Sequence, residues 1–303
     1  MSPLAEAERM TLPAVDRGVL MSVAYRLLGS VSEAEDAVQE AYTRWYALPG
    51  PRRAEIVSPT GWLVTTVSRI CLDVLGSARA RRERYVGEWL PEPVPTSTRW
   101  TSQAVSDRAD DPADRVSLDE SISMALLVVL DSMTPAERVA FVLHDVFAYT
   151  FVEIGDIVGR SPQACRKLAS SARRRVRERG DDHVPSEERT RIVTAFKSAW
   201  ESGDLTTLVE LLDPDATAIT DGGGRASAAA EPIKGAERIA RFILGVRQRQ
   251  PTMTVQTTTV NGQPGLVVRD EAGQVLAVAS ARIANGRIEH LWAMRNPEKL
   301  TAW

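Results

Sequence analysis

The chain has 303 residues, 44% of them apolar and 25% charged, with a net charge of −3; this is the composition of a globular protein long enough for two or three domains. Its longest purely apolar run, 124–130, is far too short to span a bilayer, and the start of the sequence lacks the basic-then-apolar pattern of a secretory leader. Two cysteines, Cys71 and Cys165, lie far apart without metal-ligand spacing, so the expectation is a reduced, cytoplasmic protein with no membrane span, no metal site and no cofactor.

The first part reads as helical. Ser32 and Glu35 have the spacing of a capping box, which predicts a helix from near residue 33. Val38, Tyr42 and Trp45 share one face of it, leaving Asp36, Gln39, Glu40 and Arg44 on the others. Two turn-rich stretches, "LPGPRR" and "SPTG", follow. A second helix is expected from about 62 to 84, with Val64, Val67, Ile70, Cys71, Val74 and Leu75 as its buried stripe. Its end carries Arg79, Arg81, Arg82 and Arg84, which are either a solvated helix end or a surface for a polyanion. From 86 to 114 the periodicity dissolves into a Pro-, Ser- and Asp-rich stretch with six acids against two arginines, read as a linker.

Helices resume near 117. Thr134, Pro135 and Glu137 announce a new one, with N-cap, first-turn proline and third-position acid. Thr150 and Glu153 repeat the box, Gly159 ends that short helix, and Ser161 with Pro162 opens the next. The result is a helix-turn-helix pattern whose second helix holds most of a block of eight basic residues and one acid between 160 and 180. Cys165, Leu168, Ala172 and Val176 form its inward stripe, so Gln163, Arg166, Lys167 and Ser170 point outward from the first turns. Those turns are what a recognition helix lays against base edges in the major groove. Arg and Lys suit guanine and Gln suits adenine, each good pairing discriminating by about 1–3 kcal/mol. Arg173, Arg174, Arg175 and Arg177 continue round the helix and suit phosphates. Trp62 and the loop before it offer a surface for an unpaired base, although an aromatic beside a loop is usually core.

After 183 the character changes. Residues 188–212 predict two more helices. From Met253 onward alternating Val and Thr segments separated by Asn-Gly and Gly turns predict a curved antiparallel sheet, an α+β domain. The boundaries implied are 1–87, a linker at 88–114, 115–183 and 184–303.

These residues resemble an extracytoplasmic-function sigma factor of bacterial RNA polymerase. "SVSEAEDAVQEAYTRWY" resembles sigma region 2.2, "GWLVTTVSRICLDVLGSARARRERYVG" regions 2.3 and 2.4, and the stretch from "LDSMTPAERV" to "SSARRRV" region 4. Three further motifs resemble marks of the SigJ-like group with a SnoaL-like C-terminal extension: "WLPEP" (Trp89, Leu90, Pro91, Glu92, Pro93), "DGGGR" (Asp221, Gly222, Gly223, Gly224, Arg225) and "NPEKL" (Asn296, Pro297, Glu298, Lys299, Leu300). Family versions usually carry Lys where Arg225 stands and Asp where Glu298 stands, which leaves the charges unchanged.

The resemblance implies two all-α sigma domains, a region 2 helical bundle and a region 4 helix-turn-helix, followed by a cone-shaped α+β SnoaL/NTF2-like domain. It implies that Asp36, Gln39, Glu40 and Arg44 meet the β′ clamp helices of core RNA polymerase, with the β flap as a second docking point. Ser161, Gln163, Arg166, Lys167, Ser170, Arg173 and Arg174 would face the −35 element of promoter DNA, and Trp62, Arg79, Arg81, Arg82 and Arg84 the −10 element. "DGGGR", "NPEKL" and "WLPEP" would meet as a regulatory contact between extension and sigma core, with Glu88 or Glu92 as partner for Arg225. Read on its own, "DGGGR" is equally a flexible turn. A small ligand in the cone is left open. Since some SnoaL-like proteins are enzymes, the rival is a DNA-binding regulator fused to a small-molecule-binding or catalytic domain, but His290, the domain's single histidine, suits a structural role on its strand.

Overall fold

The structure, a computed structural model, describes residues 17–82, 85–98, 100, 122–179 and 184–303, with backbone alone for 78–82 and 179. The expected basic cluster at Arg79, Arg81, Arg82 and Arg84 therefore lies outside the described side chains, as does residues 101–121 of the acidic stretch.

The N-terminal helices are α1 (Arg17–Leu28), α2 (Val31–Ala47), α3 (Gly50–Ala54) and α4 (Pro59–Arg82). Three corrections to the sequence reading arise here. The N-cap of α2 is Ser30, whose hydroxyl accepts from the Glu33 amide, two residues earlier than the Ser32 box. The "PGPRR" stretch is the one-turn helix α3 rather than an open turn. Helix α4 starts three residues earlier than expected, because Ser58 Oγ accepts from the Gly61 amide at 3.1 Å and holds the first turn. The predicted stripes of α2 and α4 do pack together: Ala37, Val38, Ala41 and Trp45 meet Leu63, Val64, Val67 and Cys71 in one core.

The next group is α5 (Met124–Asp131), α6 (Pro135–Phe141) running into a π-helical turn (Val142–Val146), α7 (Phe151–Val158) and α8 (Pro162–Arg179). Both predicted capping boxes form, at Thr134/Glu137 and at Thr150/Glu153. Gly159 ends α7 in the left-handed region at φ 69°, which sets the tight turn into α8. Cys165, Ala169 and Ala172 are fully buried under α8, so the inward stripe is real and gains Ala169.

The C-terminal domain has α9 (Ser186–Ser202), α10 (Leu205–Leu211), β1 (Leu212–Asp221), β2 (Ile233–Lys234), α11 (Ala236–Arg249), β3 (Thr254–Val260), β4 (Gln263–Arg269), β5 (Val275–Ala284) and β6 (Arg287–Met294), then a 3₁₀ turn (Pro297–Lys299). Its sheet runs β2-β1-β6-β5-β4-β3, with β1 and β6 parallel and the remaining pairs antiparallel. The four C-terminal strands match the alternating pattern; β1, β2 and α11 were not anticipated. Asn261-Gly262 and Asn285-Gly286 turn the β3–β4 and β5–β6 hairpins with both residues at positive φ.

Two arrangements decide how the parts work together. The helices before residue 83 and those after residue 122 share one hydrophobic core instead of forming two. A second core joins the sheet's other face (Val260, Val267, Val278, Trp292, Met294) to Leu90 and to Met124 and Ala125 of α5. The stretch read as an open linker is therefore buried along 90–94.

Candidate nucleic-acid interface and interdomain junction

On α8 the residues expected to read DNA fall on one exposed face: Ser161, Gln163, Arg166, Lys167, Ser170 and Arg174. Ser161 caps the helix, its hydroxyl accepting from the Ala164 amide at 3.2 Å, and the Arg166 guanidinium lies over the Phe151 ring at 5.4 Å. Arg173 departs from the expectation. Its Nε donates to Asp145 Oδ1 at 2.5 Å, and that aspartate side chain is only 3% exposed. Arg175 likewise pairs with Glu137 at 3.4 Å. Both fasten α8 to the helices beneath it, which leaves Arg174 and Arg177 as the outward arginines of the second half among the described side chains. Burial alone would raise the Glu137 carboxyl; hydrogen bonds from Thr134 and Ser171, with Arg175 beside it, hold it below the ordinary glutamate value.

Asp36, Gln39, Glu40 and Arg44 form an exposed polar stripe on α2, with Arg44 donating to Glu40 at 2.8 Å. Trp62 is half-buried and packs on Trp45, ring centroids 5.3 Å apart, so it serves the core as well as the surface. The most exposed apolar side chain of the loop before α4 is Val57, fully open to solvent. A lone valine in a turn gives no sequence signal.

The three SigJ-type motifs come together around one carboxylate. Asp221, at the end of β1, is completely buried. Its Oδ2 accepts from the Leu90 amide at 2.9 Å and from Lys299 Nζ at 2.8 Å, and its Oδ1 from the Tyr85 hydroxyl at 2.6 Å. Lys299 also donates to the Leu90 carbonyl at 2.7 Å and sits over the Trp89 ring at 4.4 Å and the Tyr85 ring at 4.9 Å. Asn296 donates to the Tyr85 hydroxyl at 2.9 Å and, through Oδ1, caps the Pro297–Lys299 turn by accepting from the Glu298 amide. Burial, with Asp221 adjacent, pushes the Tyr85 phenol well above its ordinary value and keeps it a donor.

The glycines have a steric reason. A Cβ on Gly222 would lie 2.2 Å from the Ala226 carbonyl oxygen, and one on Gly223 would lie 2.3 Å from Asn296 Nδ2. "DGGGR" is thus a close backbone approach under the linker rather than a loose turn. Arg225 pairs with Glu298 at 2.8 Å, not with Glu88 or Glu92, and both side chains are more than 60% exposed, so the pair adds little.

Glu92 points the other way. Its amide donates to the Gly29 carbonyl at 2.8 Å, and its carboxylate accepts from the Val31 amide at 2.8 Å, completing the cap of α2. Burial raises its carboxyl pKa against these hydrogen bonds.

A second clamp escaped sequence reasoning. Asn261, in the β3–β4 turn and wholly buried, donates to the Tyr25 hydroxyl at 2.8 Å and to the Ile122 carbonyl at 2.9 Å. Its Oδ1 accepts from the Val94 amide at 3.0 Å while its own amide donates to the Val94 carbonyl. One side chain thereby ties α1, the linker and the start of the helix-turn-helix group to the sheet. Tyr25 in turn donates to the Glu92 carbonyl at 2.7 Å, and Trp303 Nε1 to the Pro93 carbonyl at 2.9 Å. In sequence, Asn-Gly signals only a hairpin.

Comparisons with known proteins fit this geometry. A sigma-70 region 2 family model matches residues 16–82, and a sigma-70 region 4 model matches 123–176. The chain is 40% identical to the extracytoplasmic-function (ECF) RNA polymerase sigma factor SigJ of Mycobacterium tuberculosis over 93% of this chain and 90% of that protein. The chain belongs to the ECF sigma factors. This sigma factor is also 34% identical to the probable ECF sigma factor SigI of M. tuberculosis, over 94% of its own length and 92% of that relative. The crystal structure of M. tuberculosis SigJ superposes with a TM-score of 0.72 at 34% identity, covering 99% of the sigma factor and 98% of that chain. The fold is region 2 and region 4 helical domains followed by an α+β domain with a six-stranded sheet, and the protein is an alternative sigma factor that partners core RNA polymerase and promoter DNA in transcription initiation. Among the described residues no helix is long and apolar enough to cross a membrane.

The cone encloses a cavity of about 70 Å³ whose wall contains no aspartate, glutamate or histidine. His290 stands outside it, stacked on Trp292 at 5.7 Å, and burial followed by the nearby Arg282 charge lowers its pKa, so it stays neutral at pH 7.

Proposed function

We propose that this sigma factor is held in a closed, promoter-incompetent state by its SnoaL-like domain, and that initiation requires the two helical domains to part. The observation that carries this reading is the contact between them. Arg69 on α4 donates to the Asp156 carbonyl on α7 at 2.8 Å, and Arg138 on α6 donates to the Leu27 carbonyl on α1 at 2.8 Å. The helices expected to engage the −10 and −35 elements thus lie side by side, whereas the elements themselves lie more than one helical turn of DNA, about 34 Å, apart.

In the open state, Gln163, Arg166, Lys167 and Ser170 on α8 read the −35 duplex, with Arg174 on phosphate. Arg79, Arg81, Arg82 and Arg84, with Trp62 and the Val57 loop, engage the −10 element. Asp36, Gln39, Glu40 and Arg44 dock on the β′ clamp helices, and the helix-turn-helix domain on the β flap. The acidic stretch after residue 100 follows the polymerase cleft. Such a protein works in the cytoplasm and is not an enzyme; the rival catalytic reading would need an acid in the cone's cavity wall, and Asp221 is committed to the junction.

Run-off transcription on promoter DNA tests this directly. Product is expected only when core polymerase is added, and truncation from Asn296 is expected to change output more than polymerase affinity. A protein that bound promoter tightly without polymerase, and gained nothing from it, would instead be a stand-alone regulator.

A further inference from the structure

We propose that Asn261 is the pin from which region 4 is released when the sigma factor opens, and that the C-terminal domain then stays with region 2 and the linker while the helix-turn-helix group swings away. The proposal rests on the reading that opening parts the two helical domains.

The Asn261 side chain is wholly buried, and its hydrogen bonds fall on two bodies. Its Oδ1 accepts from the Val94 amide, its backbone amide donates to the Val94 carbonyl, and one Nδ2 proton goes to the Tyr25 hydroxyl. The other Nδ2 proton goes to the carbonyl of Ile122, the residue before the Ser123 cap of α5. One amide group therefore bridges region 2 to the helices of region 4. Its two N–H bonds lie fixed in one plane, so it cannot follow both partners once they separate.

The arm toward region 2 is the more firmly held. The C-terminal domain grips the linker again at Leu90, through Asp221 and Lys299, at Pro93, through Trp303, and at Pro95, through a β-bridge to Val260. The same linker grips region 2 through Glu92, whose carbonyl accepts from the Tyr25 hydroxyl, whose amide donates to the Gly29 carbonyl and whose carboxylate accepts from the Val31 amide. Linker, region 2 and sheet are thus laced together. On the other arm Asn261 meets the Ile122 carbonyl, and Met124 and Ala125 pack on the sheet's apolar face. Releasing region 4 gives up one of the four Asn261 hydrogen bonds, whereas releasing region 2 with the linker gives up the other three. From Arg179 to Ser186 the chain reaches at most about 25 Å, so region 4 pivots on this tether.

Distances between spin labels on the full chain test which body moves. Labels are placed pairwise at Glu35 on α2, Val152 on α7 and Gln248 on α11, all exposed, while both native cysteines are buried. Between the free protein and its complex with core polymerase and promoter DNA, the Val152–Gln248 distance is expected to lengthen while Glu35–Gln248 holds. A Glu35–Gln248 distance that lengthens, alone or with the other, overturns the assignment. No change in any pair, Glu35–Val152 included, means instead that the protein was never closed, and the underlying reading fails. Asn261→Asp at pH 8 tests the pin itself. Residue 261 sits at φ 51°, which aspartate tolerates. The carboxylate still accepts from the Val94 amide, and the Tyr25 hydroxyl can turn to donate to it, but the Ile122 carbonyl is left facing an acceptor. The population with the long Val152–Gln248 distance should therefore rise about tenfold in the free variant, with Glu35–Gln248 unchanged. Tyr25→Phe cuts the opposite arm and should leave Val152–Gln248 at the parent value. A folded Asn261→Asp protein with the parent distances, or release of region 4 by Tyr25→Phe, overturns the pin. If Asn261→Asp does not fold, the parent distances and Tyr25→Phe decide.

Discussion

Asp221→Asn raises promoter-specific run-off transcription by about tenfold while leaving affinity for core polymerase within about twofold. The substitution is isosteric and keeps an acceptor for the Leu90 amide. Its single carbonyl oxygen keeps the Leu90 amide as a neutral hydrogen bond, while the NH2 group faces the Tyr85 hydroxyl, which loses its carboxylate acceptor, and the Lys299 ammonium loses its counter-charge. Hydrogen bonds to a charged group contribute about 1.5–3 kcal/mol and neutral ones about 0.5–1.5. The closed state therefore loses roughly 1–3 kcal/mol, and about 1.4 kcal/mol is a tenfold shift in population. Tyr85→Phe, which deletes one of the two links, should move output in the same direction by less. Unchanged or reduced output from Asp221→Asn, with the domain still folded, would mean that the junction does not restrain initiation.

Arg173→Ala and Arg174→Ala, one residue apart on α8, separate structure from recognition. Arg173→Ala withdraws the guanidinium from Asp145, whose side chain is 3% exposed. Removing one member of a buried ion pair costs about 3–5 kcal/mol, so the denaturant midpoint should fall sharply. Arg174 is exposed and makes no ion pair among the described residues. Arg174→Ala should change stability by less than about 0.5 kcal/mol and reduce the slope of log affinity against log salt by about one phosphate contact. A stable Arg173→Ala protein with a reduced salt slope would reverse the assignment of the two arginines.

The contrast between these arginines marks what was legible in the sequence. The helix starts at Thr134, Thr150 and Ser161 were readable because each of these side chains caps its own helix. The cap of α2 was misplaced because Ser30–Glu33 and Ser32–Glu35 have the same spacing, and the Glu92 carboxylate that fixes the Val31 amide lies sixty-one residues away. The outward face of α8 followed from periodicity, but the identity of the arginine turned back onto Asp145 depends on a tertiary neighbour. The motifs "WLPEP", "DGGGR" and "NPEKL" were visible by resemblance, and the glycines' steric reason only once Asn296 and Tyr85 were seen against them. Asn261 and Tyr25 stayed hidden because an Asn-Gly hairpin looks the same whether it faces solvent or a buried hydroxyl. Strand β1 was missed because "LDPDATAITD" carries Pro and three acids, which suppress strand propensity.

Placement of the helix-turn-helix domain against region 2 is the claim on which the rest turns. The most direct measurement is the distance between spin labels at Glu35 on α2 and Glu178 on α8, both exposed and outside the residues assigned to polymerase and DNA, in the free protein and in the complex with core polymerase and promoter DNA. A single short distance in the free protein, replaced by a longer one in the complex and partly by Asp221→Asn alone, is the predicted result. The same distance in all three states would contradict it.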